Sequence, residues 1–73
     1  MKDSRLRRIA KARRIGKSGA GRALREAAGI GLGEFAREIG TSGSNLSRWE
    51  RGEVVPKPSH ALAWLAALEG LDP

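Results

Sequence analysis

The chain has no cysteine, no tyrosine, one histidine, one phenylalanine and two tryptophans in 73 residues. Without cysteine there is no disulfide framework, no thiolate nucleophile and no thiolate metal site. His60 alone cannot build a metal cluster, so no metal is expected. No apolar run is long enough to cross a bilayer, so no membrane partner is expected either. The N-terminus is charged from Lys2 onward and has no hydrophobic signal core, which argues against secretion and for a cytoplasmic protein. The length allows one small domain, whose core must come from well-packed helices or from a dimer.

Catalytic sets are missing as well. The GKS at 16–18 resembles the end of a phosphate-binding loop, but Lys11 stands where that loop needs glycine. His60 lies beside Ser59 without an acid partner or a sharp nucleophile turn. Glu34 and Glu38 are one turn apart around Arg37 and read as a solvated face. The protein is therefore expected not to be an enzyme and to need no cofactor.

What the chain does have is charge, unevenly placed. Residues 1–17 hold Lys2, Arg5, Arg7, Arg8, Lys11, Arg13, Arg14 and Lys17 against Asp3, a net +7. Residues 18–73 hold six basic and seven acidic residues, a net −1, so the whole charge of +6 sits at the N-terminal end. Such a segment suits a polyanion, with nucleic acid ahead of an anionic membrane.

Glycines punctuate the rest. Gly29, Gly40, Gly52 and Gly70 each follow a stretch of helical spacing, where a left-handed cap would fall. Four helices follow from this, at about 20–28, 32–39, 43–51 and 59–69. The second has Leu32, Phe35, Ala36 and Ile39 on one face, with Gly31 as N-cap and Glu34 as half of a capping box. Ser59 is expected to cap the last helix, after the stiff PKP at 56–58. Its run ALAWLAAL is apolar on most sides, which suits a helix covered by the other three or one that also meets a second subunit. Residues 4–15 could form a short amphipathic helix with Leu6, Ile9 and Ala10 on one side, ordered on binding. GKSGAG at 16–21 reads as a flexible joint. The expected organisation is a basic arm over 1–19 and a helical domain over 20–73.

On a helical wheel, Gly43, Ser44, Ser47, Arg48 and Arg51 fall within an arc of about 140°. Leu46 and Trp49 lie opposite and turn inward. A face of small residues with arginine can approach another surface closely. The guanidinium fork matches phosphate, or guanine O6 and N7. A short helix, a Gly-containing turn and a second helix with this face make a helix-turn-helix arrangement.

LGEFAREIGTSGSNLSRWERG at 32–52, preceded by LREAAGIG at 24–31, resembles the helix-turn-helix of the phage repressor and Cro-like (XRE) family. The resemblance covers roughly residues 20–70 and rests on Ala36, Gly40, Leu46 and the SRWERG ending. It implies an all-α, lambda-repressor-like domain of four helices, or five with an N-terminal helix, to which the basic N-terminal arm read from the charge distribution is attached. It implies a double-stranded DNA partner, with Ser42, Gly43, Ser44, Ser47 and Arg48 reading bases and Arg51 at a base or the backbone. Gly31, Leu32 and Gly33 would meet a phosphate through the helix N-terminus, and Lys57 would meet the backbone again. A structural ion pair between Arg25 and Glu50 is implied too. The sequence departs from the family at Leu32, where glutamine is frequent, and at Gly43, where a long side chain is frequent. Base reading should then fall mainly on Arg48.

The resemblance does not reach the arm. Arg5, Arg7, Arg8, Lys11, Arg13, Arg14 and Lys17 would either enter a minor groove or track phosphates. If two copies pair on DNA as a homodimer, the candidate dimer surface is at Trp64, with simple core packing of Trp64 as the alternative. The leading expectation is a bacterial or phage regulator that represses by occupying an operator. The alternatives are an antitoxin-like module, whose protein partner would cover Trp64, Leu65 and Leu68, and a small basic RNA-binding protein.

Overall fold

The computed structural model describes residues 4–71. Among these, five helices follow in order: α1 (Ser4–Ser18), α2 (Ala20–Ala27), α3 (Leu32–Ile39), α4 (Gly43–Glu50) and α5 (Pro58–Leu71). The fold is all-α, and α2, α3 and α4 lie within a residue of their expected bounds. Gly29, Gly40 and Gly52 have φ of 73°, 89° and 72°, so three of the four expected left-handed turns are present. Gly70 is not one of them, because α5 runs through it to Leu71. The start of α5 also differs from expectation. Pro58 is the first helical residue and Lys57 O accepts from Ala61 N at 2.8 Å, so Ser59 lies inside the helix and does not cap it. Proline suits that first position, since its missing N–H would have no partner there.

The larger correction concerns the N-terminal segment. Residues 4–18 are neither an unattached arm nor a joint. They form a helix of 15 residues that packs along α5. Ile9 and Ala12 of α1 are buried against Ala61 and Leu65 of α5. A second cluster, Phe35, Ala36, Ile39, Leu46, Trp49, Trp64 and Leu68, holds α3, α4 and the opposite face of α5. The helix α5 is apolar on most sides because it lies between these two clusters. No second subunit is required to cover it. Burying one side chain of the size of Ile9 stabilises by about 1.5–3 kcal/mol, enough to offset crowding of cations that remain solvated. Two polar ties add to the docking. Arg8 meets Glu69 of α5 at 2.9 Å, and Arg13 donates to Pro56 O at 3.1 Å.

The GKSGAG segment is correspondingly helical and packed, apart from the turn at Gly19. Only Gly19, at φ 83°, uses its conformational freedom, to turn from α1 into α2. Gly16 and Gly21 are there for closeness. A Cβ on Gly16 would lie 2.8 Å from Trp49 O, and one on Gly21 would lie 2.8 Å from Trp64 Cζ2. The Trp64 ring fills the space between these helices and is fully buried, its Nε1–H without a partner among the described residues. Trp64 is therefore no dimer surface. The apolar patch expected of Trp64, Leu65 and Leu68 does not exist either, since each is at most 1 % exposed.

Candidate nucleic-acid interface

The turn between α3 and α4 is built by Gly40, Thr41 and Ser42. Gly40 N donates to Ala36 O and Arg37 O, and Thr41 N donates to Ala36 O at 2.9 Å, which closes α3. Ser42 opens α4. Its Oγ accepts from Asn45 N at 3.1 Å, so this hydroxyl serves as the N-cap. Within α4 the inward positions are Leu46, Trp49 and Glu50, all buried. The outward positions Gly43, Ser44, Ser47, Arg48 and Arg51 line one shallow groove of about 330 Å³, and Leu32 of α3 closes its far wall. The expected outward set is thus assembled on one surface, apart from Ser42, whose oxygen is committed to the cap.

The surface is firmly supported from behind. Arg25 of α2 holds Glu50 of α4 in a bidentate pair, Nε to Oε2 at 2.7 Å and Nη2 to Oε1 at 3.0 Å. Its remaining Nη1 donates to Ile30 O at 2.8 Å. Both side chains are nearly inaccessible, and the carboxylate hydrogen bonds raise the Arg25 guanidinium above its ordinary value despite burial. Removing one partner of such a pair leaves a buried charge unmatched, a loss of about 3–5 kcal/mol. The pair therefore locks the orientation of α4 against α2 and contributes no group to the outer surface.

Charge on the outer surface differs from residue to residue. The Arg48 side chain is exposed and makes no hydrogen bond or ion pair among the described residues, although its charge helps to lower the Glu53 carboxyl. Arg51 is engaged with Ser47 and Glu53. At the start of α3, Glu34 Oε1 accepts from Gly31 N at 3.2 Å, which completes half of a capping box. The following N–H groups of Leu32 and Gly33 have no intrahelical acceptor, as at any helix start. Lys57 is exposed in the segment before α5.

The basic residues of α1 stand on a helix docked against α5. Lys17 lies against the turn after α4, its Cα 3.4 Å from where a Cβ on Gly52 would stand. Arg13, Arg14 and Lys17, with Leu6, Ile9, Ala10 and Val55, line a groove of about 400 Å³ between α1 and that turn. Arg7, Arg8, Lys11 and Arg14 line another basic surface farther along α1. Arg5 stands about 18 Å from Lys17 along the axis at the helical rise of 1.5 Å per residue. A docked helix about 10–12 Å wide cannot thread a minor groove about 6 Å wide. Residues 4–18 therefore offer single side chains from a docked helix rather than an extended arm. Arg8 and Arg13 are already committed to Glu69 and Pro56 O.

Two residues with a place at this surface escape a reading of local spacing. Arg22 of α2 lines a cleft with Leu32, Ser47 and Arg51, brought there by the α2–α4 packing across a long sequence interval. Glu53 folds back beside Arg51 because Gly52 turns the chain. Its proximity to Arg51 in sequence was a signal that charge counting alone passes over.

The helix-turn-helix domain family model matches residues 22–73, and the chain belongs to that family. This makes it a DNA-binding protein of the helix-turn-helix class. The match runs from Arg22, inside α2, through α5 and leaves α1 outside. No curated protein and no solved structure matches the chain. Among the described residues no helix is long and apolar enough to cross a membrane.

Proposed function

We propose that the protein is a Cro-like transcriptional regulator of the phage repressor (XRE) group that acts by occupying an operator. The observation that carries this reading is the outer face of α4. It is small-sided at Gly43, Ser44 and Ser47, and it presents the exposed guanidinium of Arg48, which makes no hydrogen bond or ion pair among the described residues. Small residues let the helix backbone approach the major groove, and a free guanidinium can bond both O6 and N7 of guanine. Ser44 and Ser47 read beside it. The first turn of α3, Lys57, Lys17 and Arg14 hold phosphates on either side. Two copies on a palindrome would place α4 in successive major grooves about one helical turn apart. Bound across a promoter in the cytoplasm, the pair would exclude polymerase. The antitoxin-like alternative has lost its support, since the apolar surface it needed is core.

Arg48→Ala should relax base preference at one position and cost about 1–3 kcal/mol there. Binding titrations on the preferred duplex and on its single-base variants check this. Equal loss on every duplex would refute the reading role. Preference for structured RNA over duplex DNA in direct competition would refute the DNA reading altogether.

A further inference from the structure

The end of α4 carries an arrangement that base reading by Arg48 leaves unused. Gly52, at φ 72°, turns the chain so that Glu53 comes back beside Arg51. Glu53 N is anchored on Arg48 O at 2.9 Å. The Glu53 carboxylate then accepts Arg51 Nε at 2.6 Å and Nη2 at 3.2 Å. The third nitrogen, Nη1, donates to Ser47 Oγ, one helical turn back. The hydrogen bond from Arg51 holds the Glu53 carboxyl below its ordinary value, so both partners are ionised at neutral pH.

Two consequences follow from elementary hydrogen-bond chemistry. A serine oxygen that accepts from a guanidinium keeps its own proton for donation. The positive group beside that oxygen also repels other incoming donors. In the major groove guanine, adenine and thymine each offer an acceptor, whereas cytosine offers only its N4 amino donor. Second, Arg51 and Glu53 together carry no net charge, so the pair neutralises no phosphate. We infer that Arg51 and Glu53 are positioning residues that present Ser47 to DNA as a hydrogen-bond donor and so exclude cytosine at the base it faces. The inference rests on α4 reading bases, as proposed above.

The test uses the full chain, Arg51→Ala and Glu53→Ala, selected against a random duplex library, with the salt dependence of binding measured for each. Both side chains are about half exposed, so both variants should keep the fold. The wild-type protein should deplete cytosine at one position by about fivefold or more, the low end for a single mismatched pair. Arg51→Ala should admit cytosine there, and the double variant Arg51→Ala/Glu53→Ala, which like the wild-type pair carries no net charge, should leave the salt slope unchanged. Glu53→Ala should steepen the slope by about one unit, because the freed Arg51 can reach a phosphate. A slope about one unit shallower in the double variant, or cytosine still excluded from a retained motif by Arg51→Ala, overturns this inference alone. A wild-type library with no enriched motif overturns the base-reading proposal, and this inference with it.

Discussion

Gly16 shows how one residue can be read in opposite ways. As a member of GKSGAG it suggests flexibility, yet it lies inside α1 and faces Trp49 O and the Trp64 ring. Alanine there would gain roughly 0.5–1 kcal/mol of helix propensity. The added methyl would meet a backbone oxygen at 2.8 Å, which cannot rotate away. Overpacking of this kind costs about 1–3 kcal/mol, so the clash should win. Gly16→Ala should therefore lower the thermal midpoint, as read by circular dichroism. A raised midpoint would mean that α1 does not sit this close to α4 and α5. The signal for this role is spatial. It depends on Trp49 and Trp64, 33 and 48 positions away in the chain, and no local pattern marks it.

At the scale of elements, α2, α3 and α4 were legible because apolar spacing, caps and punctuating glycines agree with one another. The helix α1 was legible as a possible helix but not as a docked one. Its apolar residues are few, and the side chosen from spacing was partly wrong: Ile9 and Ala12 are buried while Leu6 is 65 % exposed. The docking also relies on Glu69, a residue at the far end of the chain, which receives Arg8. That hydrogen bond, aided by the charges of Arg8 and Lys11, holds the Glu69 carboxyl below its ordinary value against a smaller opposing effect of desolvation. Because the folded value is the lower one, the contribution of this pair is complete above the ordinary carboxylate value. It is lost as the pH falls through the folded value. A titration followed by carboxyl NMR should place Glu69 below the ordinary glutamate value of about 4.3. Arg8→Ala should return it upward. A Glu69 midpoint indifferent to Arg8 would mean that the two helices are not tied at this end.

At the scale of the whole molecule, the net charge of +6 pointed to a polyanion, and membership of the helix-turn-helix family agrees with that. What charge counting does not show is that the cations of α1 lie on a helix packed into the domain. The basic helix, the turn at Gly52 and the outer face of α4 are fixed relative to one another by the two core clusters and by the Arg25–Glu50 pair. The candidate face itself was legible from a helical wheel, because one α-helix with a buried Leu46 and Trp49 has only one outward side. The division between a free Arg48 and an engaged Arg51 was not, because it depends on where Gly52 sends Glu53. The most direct measurement is selection of the full-length protein against random duplex DNA at about 150 mM salt, where the screening length is about 8 Å. An enriched motif, repeated as a palindrome with half-sites about one helical turn apart, is the predicted result. Binding without any enriched sequence, fading as salt rises, would contradict base reading by α4 and leave the basic helix as the dominant contact.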